Sequence, residues 1–232
     1  MLFVHEEHEV RGRREKEFEA AVRDEWRPAL ARDDDARLLY FLHHAHGSGP
    51  SYRVVTITAV KDGAAWERLV RRIDGGDLRD AVRRLDELRY DAHAKVLVPL
   101  PWSKLQQVRF GDLPGALAER EPTLFMEDTV WPDAGKLEDY VERSGSHYAR
   151  EMRERGEILT VEASFRTAYG AGRRREVILW QKVVRADFLV PLLTREVPDR
   201  FREPGTWMHD ALELRDQWRS RLLRTVPWSP LT

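Results

Sequence analysis

Laid against itself, this chain repeats, and the repetition limits what it can fold into more than any other feature. "KVLVPLPWSKL" (95–105) shares Pro-Trp-Ser-x-Leu with "RLLRTVPWSPL" (221–231) at an offset of 126. "LFVHEEHEV" (2–10) lies over "LFMEDTVW" (124–131) at an offset of 122. Between them, "HGSGPSYRVVTITAV" (46–60) lies over "YGAGRRREVILWQKV" (169–183) at an offset of 123, and both keep Gly-x-Gly ahead of an apolar strand. One shared tripeptide is within chance. Three matches in the same order predict two homologous halves, 1–107 and 122–232. Residues 108–121 read as the linker, punctuated by Gly111, Pro114 and Gly115, with a short helix expected in "ALAER" (116–120).

Each half reads as β-α-β-β-α-α-β. In the first, 1–10 is a strand, and 13–32 is a helix with Phe18, Val22, Trp26 and Leu30 four apart on one face. Strands 37–46 and 52–60 follow, joined by a Gly-Ser-Gly-Pro turn. Asp62 is the expected N-cap of a helix through Ile73. A second helical stretch carries Leu78, Val82, Leu85 and Leu88 on one face, and 95–101 closes the unit as a strand. The second half is expected to repeat this at 123–130, 134–155, 157–168, 174–184, 186–195, 206–221 and 222–227. The class is α+β, a ferredoxin-like unit with one extra helix. Its helices cover one sheet face, so the other must pack on something, and a second copy is at hand.

Composition narrows the function classes. The chain is 42% hydrophobic and 34% charged with a net charge of −1, so nothing draws it to a polyanion. The absence of cysteine excludes disulfides, thiolate zinc sites, iron–sulfur clusters and cysteine nucleophiles. No apolar run approaches the ~20 residues that span a bilayer, and "MLFVHEEHEV" turns polar at its fifth residue. The expectation is a soluble, cytoplasmic protein with neither nucleic-acid nor membrane partner. Gly-x-Ser-x-Gly, Walker, dinucleotide and HExxH motifs are absent from the sequence.

The element order, the duplication and the Pro-Trp-Ser-x-Leu tail after the last strand resemble the dimeric α/β-barrel superfamily, and within it NIPSNAP-like proteins. The resemblance covers nearly the whole chain. It implies tandem ferredoxin-like repeats whose antiparallel sheets pack together as an intrachain α/β barrel around a pocket. Members usually pair two single-unit chains; fusion leaves either a monomer or a homodimer open. The superfamily includes cofactor-independent monooxygenases, polyketide cyclases, muconolactone isomerases, haem-binding members and proteins with no assigned activity, so fold does not fix function.

Strand alternation then nominates pocket residues. Phe3, His5 and Glu7 share a face on the first strand, as do Phe125, Glu127 and Thr129 on its counterpart. Tyr40, Leu42, His44 and His46 form the inward set of the second strand, with His43 on the helix side. In the second half, Thr160, Glu162, Ser164 and Arg166 are assigned inward, along with Trp180 and Lys182. Such a pocket suits a flat, largely apolar small molecule, walled by Tyr40, Phe3, Phe125 and Trp180 and touched by Lys182 and Ser164.

His44 is the expected acid or base, with Glu162 or Glu127 as its carboxylate partner. The bland reading of Glu162 is an ion pair with Lys182. "EEHE" (6–9) could supply ligands, but a solvated strand end explains it as well, and core packing explains the tryptophans at 26, 66, 207 and 218. The leading expectation is a cofactor-independent cyclase, isomerase or dehydratase of specialised metabolism, acting on an aromatic or polyene-like substrate. The alternatives are a cofactor-free or metal- or haem-assisted monooxygenase, with His44, His46 and His5 as the metal ligands, and a non-catalytic binding or interaction protein.

Overall fold

The computed structural model describes residues 1–114, 119–155, 158–172, 174–196 and 198–232. Eight strands alternate with helices: β1 (Leu2–Val10), β2 (Ala36–His44), β3 (Arg53–Val60), β4 (Arg89–Pro99), β5 (Leu124–Trp131), β6 (Leu159–Thr167), β7 (Val177–Val183) and β8 (Gln217–Thr225). All pair antiparallel and close into a ring, in the order β1-β3-β2-β8-β5-β7-β6-β4. Within each half the lateral order is the same, β4-β1-β3-β2 and β8-β5-β7-β6. The equivalent turns are alike too: Gly47 and Gly170, after β2 and β6, take φ of 79° and 78°, a conformation that favours glycine.

The helices lie outside the ring. In the first half α1 (Glu15–Ala21) passes through a π-turn at Val22–Trp26 into α2 (Arg27–Leu30). Phe18, Val22, Trp26 and Leu30 are buried against the outer sheet face, as their spacing requires. The α3 helix (Gly63–Gly75) starts where the Asp62 side chain accepts from Ala65 N at 2.8 Å, a cap worth about 1 kcal/mol. The α4 helix is Arg79–Leu88. In the second half α5 (Leu137–Arg143) runs through a π-turn at Ser144–Tyr148 into α6 (Ala149–Arg155), followed by two short helices, α7 (Leu189–Thr194) and α8 (Trp207–Asp210). No helix among the described residues is long and apolar enough to cross a membrane.

The repeated Pro-Trp-Ser-x-Leu segment is the clasp between the halves. Phe41 N donates to Ser229 Oγ at 3.2 Å and Leu231 N to Leu39 O at 2.9 Å, extending the β2 edge where β8 ends. On the other side Ser164 N donates to Ser103 Oγ at 2.9 Å and Leu100 N to Ser164 O at 2.9 Å, along the β6 edge. Each serine thus satisfies a backbone N–H of the opposite half.

Two boundaries differ from expectation. β4 begins at Arg89 rather than 95, and β8 at Gln217, inside the segment expected to be helical. The first residues of both strands pair on one side only: β4 meets β6 only from Leu97, and β8 meets β2 only from Leu223. Their charged, exposed side chains carry no apolar alternation. Helical periodicity therefore reads straight through them. The short helix expected at 116–120 falls largely on residues 115–118, outside those described.

Candidate functional site

The ring interior holds most of the aromatic residues nominated from the sequence, packed against one another. Phe3 meets Phe165 at 4.8 Å between centroids; Phe125 stacks on Trp180 at 5.2 Å; Tyr40 meets Trp180 at 5.4 Å and Phe125 at 5.5 Å. Phe3, Phe125 and Trp180 are 0% exposed. Such pairs contribute about 0.5–1.5 kcal/mol each beyond the area they bury. This end of the interior is a core.

The other end is an ion cluster centred on Arg221 of β8. Its guanidinium donates to Glu127 (2.8 and 3.0 Å) and to Glu7 (2.5 Å), and one N–H lies 3.4 Å from His44 Nε2. His5 Nε2 reaches Glu127 Oε2 across the ring at 2.8 Å. Burial pushes the Glu127 and Glu7 carboxyls up, but the charge of Arg221 outweighs it and both are held low. Burial and Arg221 together depress His44 to about 4, so it is neutral at pH 7. His44 and Glu127 therefore share a guanidinium rather than each other's proton.

The rest of the expected constellation is not assembled. Glu162 sits at a β6 bulge, where the register slips between Val161 and Ala163. It is half-exposed, accepts from Thr160 Oγ1 at 2.8 Å and pairs with Lys104 at 3.6 Å, not with Lys182. Lys182 donates to the Thr232 carbonyl at 3.2 Å. The bulge also reverses the assigned faces: Ala163 and Phe165 join the interior cluster, while Arg166 pairs with Glu138 of α5. Ser164, between them on the strand, is directed out of the ring with Arg166.

A cavity with a mostly apolar wall lies outside the ring. A space of about 240 Å³ opens between the first-half sheet and its helices, walled by Val22, Trp26, Trp66, Leu69, Ile73, Val82 and Leu85, with Glu6, His8, Thr56, Thr58 and Arg89 at its polar side. Glu6 and His8 are the outward residues of β1, two apart on the face that carries Val4 and Val10. Arg89 donates to His8 Nδ1 at 2.8 Å, which fixes the ring proton on Nε2; Nε2 then donates to Thr56 Oγ1 at 3.0 Å. Thr56 in turn donates to Glu6 Oε2 at 3.4 Å. Burial, reinforced by Arg89, depresses His8 to about 3. Burial raises the Glu6 carboxyl, and Arg89 offsets this only in part.

Sequence reasoning missed this group. A solvated strand end does not describe "EEHE", because Glu6 and His8 face the cavity, and Trp26, though part of the core, also walls it. The available signal is the alternation Val4, Glu6, His8, Val10, two polar groups on a face bounded by apolar ones.

A metal set is not formed: among the described residues no three His, Asp or Glu side chains are placed to hold an ion. At the expected His5, His44 and His46 positions, the Arg221 guanidinium stands against the first two, and His46 is exposed beyond β2. His8 offers a haem no ligand. Both nitrogens of His8 are engaged, leaving no lone pair for iron. Between the second-half sheet and helices, Trp207 packs on Tyr140 at 5.6 Å and Tyr148 at 5.8 Å. Tyr148 and Trp207 also line a cavity of about 480 Å³ together with His147, Met152, Leu159 and Met208, beside Glu151 and Glu154.

No protein-family model and no curated protein matches the chain. Solved structures do. A candidate monooxygenase from Lactobacillus acidophilus NCFM aligns over 99% of this chain and 97% of its own, with a TM-score of 0.60 and 9% identity. An anthrone oxidase-like protein aligns over 97% and 91%, with a TM-score of 0.64 and 8% identity. A chlorite dismutase from Candidatus Nitrospira defluvii aligns over 98% and 91%, with a TM-score of 0.55 and 7% identity. The likeness is one of fold. A NIPSNAP family protein from Agrobacterium tumefaciens matches 45% of this chain at a TM-score of 0.37, too low to carry the narrower resemblance.

Proposed function

We propose that the first-half cavity is the active site of an enzyme that takes a proton from a flat, largely apolar aromatic molecule, with Glu6 as general base. The position of Glu6 carries this reading: a carboxyl with a raised pKa at the polar side of a cavity walled by Trp26 and Trp66. Raising a carboxylate's pKa towards the working pH makes it a stronger proton acceptor. Arg89, His8 and Thr56 act as positioning residues. They hold Oε2 through a chain of hydrogen bonds and leave Oε1 for the substrate.

His8, depressed to about 3, is a poor partner acid at neutral pH, so chemistry that needs one base fits best. Removing the hydroxyl proton of a phenol leaves a phenolate that reacts with O2 at a ring carbon bearing hydrogen. The peroxide formed takes the proton back as a hydroperoxide, and loss of water leaves a quinone, so that one O–H, one ring C–H and O2 become two C=O groups and H2O. No organic cofactor is required. The names of two fold neighbours, a monooxygenase and an anthrone oxidase-like protein, support oxygenation over the cyclase reading, which relied on His44 acting with Glu162 or Glu127.

The test is oxygen uptake with a panel of small phenols, hydroxynaphthalenes and hydroxyaryl ketones. A substrate should consume one O2 per turnover, with a rate that rises with pH as Glu6 ionises. Glu6→Gln should lower turnover by at least about 100-fold while aromatic binding persists. Full activity in that variant would remove Glu6 from the reaction.

A further inference from the structure

Thr56 and Thr58 share one face of β3 and the same cavity, but only the first is satisfied. Thr56 Oγ1 accepts from His8 at 3.0 Å and donates to Glu6 at 3.4 Å. Thr58 is 3% exposed, and its hydroxyl has no hydrogen-bond partner. Its cross-strand neighbours are Val4 on β1 and Leu38 on β2, whose side chains offer neither donor nor acceptor. Buried hydroxyls are paired in the large majority of cases, and an unpaired one costs free energy. The cavity that Thr58 lines is where a partner can enter.

We infer that the Thr58 hydroxyl is a specificity-determining contact that meets an oxygen of the bound molecule. This rests on the cavity being the active site, and it adds the substrate class. Residues two apart on a strand are about 7 Å apart, so the ligand carries two oxygen functions at roughly that spacing. One is a proton-bearing group directed to Glu6 through its neighbour Thr56; the other is a hydrogen-bond acceptor at Thr58. A cavity of about 240 Å³ is smaller than the sites of drug-sized ligands, at about 300–1,000 Å³. One ring or two fused rings fit between Trp26 and Trp66. The class is a small hydroxyaryl ketone.

The experiment compares para-hydroxyacetophenone with para-ethylphenol, which lacks only the carbonyl oxygen, by quenching of tryptophan fluorescence and by shifts of the indole N–H resonances. The wild-type protein should bind the ketone about five- to tenfold more tightly, the effect of one net hydrogen bond. Thr58→Val has nearly the same shape and removes a hydroxyl without a protein partner, so its melting temperature should not fall. It should weaken the ketone to the level of the phenol and leave the phenol unchanged. Thr58→Ser keeps a hydroxyl and should keep the preference, which guards against a fold defect in the valine variant. If both molecules bind and Thr58→Val leaves their ratio unchanged, the inference is overturned while the cavity reading stands. If neither molecule perturbs the tryptophans, both are overturned.

Discussion

The two halves of the ring share a strand order and differ in what lies beneath their helices. Each places a carboxylate on the outward face of its first strand, Glu6 on β1 and Asp128 on β5, and burial raises both. Each carries a π-turn in its first helical stretch that ends on a large aromatic, Trp26 or Tyr148. In the second half that aromatic is tied to the sheet. Tyr148 donates its hydroxyl proton to Gln181 Oε1, Gln181 Nε2 donates to Asp128 at 2.8 Å, and Ser220 Oγ donates to Asp128 at 2.5 Å. In the first half Trp26 only walls a cavity, and Glu6 is held through one oxygen. The same scaffold ties its outward carboxylate to the π-turn aromatic in one half and leaves it beside a cavity in the other.

The contrast can be broken at the joint between the halves. Arg221 is the charge that holds Glu7 of one half and Glu127 of the other. Arg221→Met should cost about 3–5 kcal/mol, because two carboxylates lose their buried partner. Denaturant unfolding measures it. If the halves then melt in separate transitions, they are independent units; a single weaker transition shows that they fold as one.

Acid should strike the first half harder. His8 and His44 have folded pKa values of about 3 and about 4 against an ordinary 6.5. Below pH 6.5 the unfolded chain binds protons at these sites that the folded chain refuses, so their contribution, complete above pH 6.5, is lost as pH falls towards 4 and 3. The depressed Glu7 and Glu127 act in the same direction at lower pH, whereas the raised Glu6 and Asp128 favour folding on the acid side. Amide exchange followed between pH 7 and 4.5 should show protection falling first at β1 to β3. Equal loss in both halves would contradict this assignment.

The smallest effect sharpens the comparison in the second half. Tyr148→Phe removes one hydrogen bond to Gln181 and should cost about 1 kcal/mol in thermal stability. Turnover should not change, since the chemistry is placed in the other half. A change in turnover would mean that the second half takes part.

Strand positions and the clasp segments were legible in the sequence because both rest on local pattern: apolar alternation for the strands, a repeated tripeptide for the clasp. The ionisable set of the interior (His5, Glu7, His44, Glu127) was legible as well, since β1, β2 and β5 keep strict alternation that far. The face of Ser164 and Arg166 was not, because a bulge adds one residue without altering composition and turns each later side chain of β6 to the opposite face. Nor was the site's location legible. Alternation shows which side chains share a face, but not whether the opposing surface fills the gap. At β1 that depends on Trp26, Trp66 and Leu85, brought there from three separate helical stretches.

β8 is the last strand in sequence, yet it stands between β2 and β5. During synthesis the first half can pair its own four strands as soon as β4 has emerged, but the β2 edge must wait until residues 217–231 arrive to cover it. For that interval the nascent chain carries an unpaired edge beside an apolar face, the surface most prone to joining a neighbouring chain. Pairing of β2 with β8 is also the longest-range strand pairing in the ring, the kind of contact that forms slowly because a long loop must close first. The exchange of β8 between two newly made chains is the misassembly to which this topology is most exposed.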